Sequence, residues 1–146
     1  MTAWPKTPKF DRILKPGLEA GRCTGVGIDI LARKRASVFL RRHGRRISGR
    51  LLSKRERAAF PGAKLTPLVF SRLFAAKEAY FKACGGTWMG LEGFSSIDVE
   101  FLSGRRFCAF SSSIRPRRGR TAEGVFFGTR DFIGAEILIW DAPGRA

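Results

Sequence analysis

The 146-residue chain carries 28 Lys and Arg against 12 Asp and Glu, a formal charge of +16, and 44% of its residues are hydrophobic, thirteen of them Phe. This length fits one ordinary domain with a real core and excludes two. The hydrophobic share excludes a disordered chain, and the charge calls for an anionic partner: nucleic acid, an acidic protein or a phosphorylated cofactor.

Residues 1–22 contain three prolines and scattered charges but no apolar core segment, and no later run approaches membrane-spanning length. They predict a soluble protein with a loose N-terminal extension, an ordered domain over 23–141 and a polar tail over 142–146. Cys23, Cys84 and Cys108 are odd in number and lack CxxC spacing. That argues against a disulfide framework or a tetrahedral zinc site and fits a reducing cytoplasm.

TGVGIDI, residues 24–30, is a short apolar run with β-branched residues and reads as a buried strand ending at the carboxylate of Asp29. From Arg33 to Arg57 there are eleven Lys or Arg and one acid, with Ala36, Phe39 and Leu40 at helical spacing beneath the charges. This predicts an amphipathic helix with a basic outer face. Ser53-Lys54-Arg55-Glu56 has the form of a capping box and opens a short helix that ends before Pro61-Gly62. Thr66-Pro67 supplies a cap and a proline at the first helical position, starting a longer helix through about Cys84 with Gly85 as its stop.

Beyond the GGTWMG loop, residues 96–102 and 106–112 flank a glycine-containing turn and predict a β-hairpin. Residues 114–124 read as an arginine-rich loop, and VFFGT and FIGAEILIW as two final strands. The fold class is therefore α+β, an antiparallel sheet packed against the long helix that begins near Pro67.

Within that helix Glu78 and Lys82 are four residues apart and leave the same face. The ordinary reading is a surface pair worth about 0.2–0.5 kcal/mol. The alternative sets them beside Asp29: a strand-end Asp and a helical Glu can hold Mg²⁺, which uses few protein carboxylates and leaves its other positions to water and phosphate. Lys82, one turn on, then neutralises a phosphate oxygen.

GVGIDI, the SKRE box and FAAKEAYFKACGG, in that order and with Asp29 and Glu78 separated by 49 positions, resemble the phosphopantetheinyl transferases, most closely their short, holo-acyl-carrier-protein synthase type. The resemblance runs from about Gly25 to Glu100, with a weaker match from Val125 to Ile139. It implies Mg²⁺-dependent transfer of the phosphopantetheine arm of coenzyme A to a serine of an apo acyl or peptidyl carrier protein, releasing 3′,5′-ADP. Asp29 and Glu78 match the family's metal carboxylates and Lys82 its lysine beside the pyrophosphate, with Glu78 a candidate general base through a water. Gly85 takes a site role through the match alone. Lys77, about a hundred degrees around the helix from Glu78, is read as solvated or as binding a distal phosphate.

The family docks acidic acyl carrier proteins through arginines on the helix after the Asp, a role that falls here to Arg35 and Arg46. It also implies a homotrimer with coenzyme A at the subunit interfaces. The chain departs from the family in having Leu31 where the long type has a third carboxylate, Gly128 where the short type has a histidine, and Gly104-Arg105-Arg106 in place of a GKP turn. The only histidine, His43, lies in the basic helix region. A non-catalytic carrier-binding relative is the second reading. A nucleic-acid-binding protein is the third, since no aromatic RNA-binding motif or zinc finger accompanies the charge.

Overall fold

The computed structural model describes residues 22–61, 65–86, 91–111 and 120–141. The sequence-predicted tail and nearly all of the N-terminal extension lie outside these residues, as do positions 87–90 of the glycine-rich loop. In chain order the elements are β1 (Cys23–Ala32), α1 (Arg33–Leu51), α2 (Lys54–Ala59), α3 (Pro67–Ala83), α4 (Leu91–Phe94), β2 (Ile97–Phe101), β3 (Arg106–Ser111), β4 (Arg120–Gly128) and β5 (Phe132–Asp141). The strands form one antiparallel sheet in the order β1-β5-β4-β3-β2.

The local signals that open and close the helices are all realised. The Ser53 hydroxyl accepts from the Glu56 amide at 3.2 Å while a Glu56 carboxylate oxygen accepts from the Ser53 amide at 2.9 Å, completing the capping box. Thr66 caps α3 by accepting from the Val69 amide, with Pro67 at the first helical position. At the other end, the Gly85 amide donates to the Lys82 carbonyl and the Gly86 amide to that of Phe81, with Gly85 at φ +71°. This paired stop requires a left-handed residue, and glycine adopts that conformation without a Cβ penalty.

α3 is buried on most sides, and Phe70, Leu73, Ala75, Ala76, Ala79 and Tyr80 are each at most 1% exposed. One flank lies on β1 and β5 and another on α1, which contributes Ala36, Ile47 and Leu51 to the core. The helix reaches β1 so closely because Gly25 and Gly27 face it. A Cβ on Gly27 would overlap the Ala79 carbonyl and crowd the Ala83 amide, both backbone groups that cannot turn aside. Gly27→Ala is accordingly expected to cost about 1–3 kcal/mol in a urea unfolding titration. Gly49→Ala, in α1 where an added Cβ meets nothing within 4 Å, should instead gain about 0.5–1 kcal/mol.

Two sequence expectations are corrected. The 24–30 run is not a buried strand: β1 is an edge strand, and its other face leaves Val26, Ile28 and Ile30 65%, 52% and 57% exposed. The glycines, apolar in the sequence pattern, mark the covered face, and the β-branched residues lie on the bare one. The arginine-rich segment 114–124 is also not all loop, because residues 120–124 begin β4 and pair with β5 from Arg120↔Asp141 onward.

Candidate active site

Asp29 leaves β1 on the same side as Gly25 and Gly27, toward α3, because alternate strand residues share a face. There it meets the last turns of α3. The Lys82 ammonium donates to Asp29 Oδ1 at 2.8 Å and to the Ile28 carbonyl at 3.3 Å. Glu78, one turn earlier, is 7% exposed. Burial pushes its carboxyl above the ordinary glutamate value and the neighbouring Asp29 charge pushes it further, with Lys82 opposing.

A cavity of about 310 Å³ opens at this point, lined by Asp29, Glu78, Arg35 and Leu31 with the aromatic walls of Phe39 and Phe74. Strand, long helix and basic helix thus deliver two carboxylates and an arginine to one pocket, with Lys82 tied to its edge through Asp29. The donor set suits a hard divalent cation: two oxygen ligands, one of them desolvated and raised by the other's charge, a penalty that a cation between them relieves. Among the described residues no group of three or more His, Cys, Asp or Glu is placed to hold a metal. A cation here would complete its shell with water and phosphate oxygens.

Lys77 is corrected outright. It is 0% exposed, neither solvated nor facing the cavity. Its ammonium donates to Glu56 Oε2 at 2.6 Å, the Leu51 carbonyl at 2.6 Å and the Phe94 carbonyl at 2.8 Å, which uses all three protons and leaves none for a phosphate. Burial pulls its pKa below the usual lysine value, with Glu56 opposing. Glu56 in turn accepts from the Ser53 and Val99 amides. The sequence reading saw Glu56 only as a cap; a charge at the first turn of so short a helix gives no sign of what covers it.

Gly85 is placed as the end of α3, and its glycine is accounted for by the positive φ. Arg46 is exposed on α1, about 16 Å along the axis from Arg35 and on the same face. Between them lies Arg42, which the sequence reading passed over. It lines a second groove of about 510 Å³ with Lys34, Arg35, Val38, Phe39 and His43. The seven-residue spacing from Arg35 was the available signal. Gly128 ends β4 opposite Ile133, where a Cβ would press on the Phe132 carbonyl, so this backbone leaves no room for a side chain.

Residues 25–131 match the family model of the 4'-phosphopantetheinyl transferase superfamily. A holo-[acyl-carrier-protein] synthase of Geobacillus kaustophilus is 37% identical over 119 residues, 79% of this chain and 87% of that protein. The crystal structure of the holo-[acyl-carrier-protein] synthase of Neisseria meningitidis aligns with a TM-score of 0.66 at 26% identity, covering 81% of this chain and 98% of that one. A Bacillus anthracis holo-(acyl-carrier-protein) synthase, crystallised in complex with CoA (3',5'-ADP), aligns with a TM-score of 0.62 at 26% identity, covering 82% and 98%.

Proposed function

The chain belongs to the 4'-phosphopantetheinyl transferase superfamily, and on that premise we propose that it transfers the 4'-phosphopantetheine arm of coenzyme A to a serine hydroxyl of an apo acyl or peptidyl carrier protein, in a Mg²⁺-dependent reaction that releases 3',5'-ADP. It is an enzyme of the holo-acyl-carrier-protein synthase kind. The observation that carries the fuller reading is the meeting of Asp29, Glu78 and Lys82, from β1 and α3, beside one cavity that Arg35 also lines.

The carrier serine oxygen attacks the phosphorus that bears the pantetheine, a new P–O bond forms, and the bond to the bridging oxygen of the diphosphate breaks, leaving that oxygen on 3',5'-ADP. Asp29 and Glu78 would hold the Mg²⁺, which when bound neutralises the diphosphate charge. Lys82, half exposed and one turn beyond Glu78, reaches the departing phosphate. Glu78, its proton affinity raised by burial, takes the serine proton through a bridging water. The apolar walls of Phe39 and Phe74 limit water at the reacting phosphorus.

The exposed arginine stripe of α1, Arg35, Arg42 and Arg46, is the proposed dock for an acidic carrier. Assembly as a homotrimer with sites at the interfaces is part of the same reading. Two features support it. The uncovered face of β1 bears a row of apolar side chains that a monomer leaves in water. The cavity, at the bottom of the range of about 300–1,000 Å³ for ligand pockets, is also too small to enclose coenzyme A by itself. A cytoplasmic location fits the absence of a disulfide among Cys23, Cys84 and Cys108. No described helix is long and apolar enough to cross a membrane.

Mass spectrometry of an apo carrier protein incubated with the protein, coenzyme A and Mg²⁺ tests the reading. The expected result is a gain of one phosphopantetheine group, abolished by EDTA. Arg46→Glu, exposed on α1 and outside the cavity lining, should raise the KM for the carrier severalfold with kcat little changed, since reversing a docking charge acts on encounter and binding. No transfer to any carrier, with Mg²⁺-independent carrier binding that falls in Arg35→Glu, would favour a non-catalytic carrier-binding relative. Tight, steeply salt-dependent binding to nucleic acid with neither effect would overturn both.

A further inference from the structure

Asp29 carries only 15% of its side-chain surface exposed, whereas Lys82 carries 49%. Among the described residues the ammonium is anchored at two points, Asp29 Oδ1 at 2.8 Å and the Ile28 carbonyl at 3.3 Å, which uses two of its three protons. Among the ion pairs of the described residues, Lys82 joins Asp29 and not Glu78. An ammonium at that distance occupies the coordination space of the same carboxylate oxygen that a divalent cation would use, since cation–oxygen bonds of about 2.0–2.6 Å and an N–H···O bond compete for one lone-pair region. A half-exposed lysine on a flexible four-carbon stem can leave at small cost.

We propose that Lys82 is the resident counter-ion of Asp29 in the ligand-free protein, competing with a divalent cation for that carboxylate and yielding it when a phosphate group draws the ammonium away. The inference rests on the reading of Asp29 and Glu78 as metal-holding carboxylates and adds an order to it. The ligand-free site binds the cation weakly, and a phosphate ligand strengthens that binding both by donating oxygens and by removing the competitor. By linkage the cation strengthens phosphate binding by the same factor. Lys82 so serves in both states, on Asp29 before the substrate arrives and on the phosphate afterwards.

The test measures Mn²⁺ binding to the full chain by electron paramagnetic resonance, with no coenzyme A present. Lys82→Met is expected to bind Mn²⁺ about 2–5-fold more tightly than the parent, the range set by a partly exposed ion pair. Lys82→Arg should stay near the parent value. Arg50→Met, an exposed position near the end of α1, removes the same unit charge and should change nothing, which separates the local competition from the general field of a +16 protein. Asp29→Asn should abolish the binding with or without Lys82→Met. Loss of binding in Asp29→Asn with no gain in Lys82→Met would overturn the counter-ion role while leaving the metal pair standing. Mn²⁺ binding untouched by Asp29→Asn would overturn the metal pair itself, and the counter-ion role with it.

Discussion

Lys77→Met is expected to lower the unfolding free energy by about 3–5 kcal/mol, the scale for removing one partner of a buried ion pair. Methionine keeps the stem and deletes the ammonium. Three acceptors then lose their donor at once: Glu56 Oε2, the Leu51 carbonyl and the Phe94 carbonyl. Glu56, 3% exposed, would remain as an uncompensated carboxylate still gripping the Ser53 and Val99 amides. Since small domains are stable by only about 5–15 kcal/mol, the loss is a large fraction of the total and should appear as a clear fall in the urea midpoint. Lys77→Met combined with Glu56→Gln should lose less than the sum of the two single changes, because the amide removes the stranded charge while keeping an acceptor. A Lys77→Met protein within about 1 kcal/mol of the parent, with a raised KM for coenzyme A, would sink the structural role and restore a ligand-facing one.

The ion pair also shows where sequence reasoning stopped. Lys77 stands next to Glu78, and a helix turns about 100° per residue, so adjacency puts the two on different faces but does not say what covers either. The cover comes from the end of α1, from α4 and, through Glu56, from β2, segments that only tertiary packing brings together. Signals that act within a few residues were legible: Ser53 with Glu56, Thr66 with Pro67, and Gly85 all do what their local chemistry dictates. The meeting of Asp29 with α3 was legible through the family resemblance that the order of the short motifs carried, not through the residues alone. The exposure of β1 was not, because glycine counts as apolar in a pattern whether it is there for its surface or for its lack of a Cβ. Here Gly25 and Gly27 admit a helix backbone. The start of β4 was hidden by arginine and glycine, which weaken a strand signal that cross-strand pairing with β5 overrides.

Glu78→Gln and Asp29→Asn are each expected to reduce the transfer rate by about 10²–10³-fold or more, the range for losing one preorganised electrostatic contact to a developing charge. The two should part company in stability. Burial and Asp29 hold the Glu78 carboxyl above its ordinary pKa, so the folded state binds this proton more tightly than the unfolded chain does. Stability therefore falls as pH rises from the ordinary glutamate value through the raised folded value, and above that window the full cost of the buried charge is present. Glutamine carries no such cost. Thermal melts across pH 4 to 8 should show Glu78→Gln gaining on the parent as pH rises and exceeding it at neutral pH. Asp29→Asn forfeits the half-exposed Lys82 pair, worth about 0.2–1 kcal/mol, and should be slightly less stable. Under the proposed reading, a destabilising carboxylate at Glu78 is retained for what it does to a ligand. If Glu78→Gln melts below the parent throughout this pH range, the carboxylate is a structural group and the proposed metal pair loses its second member.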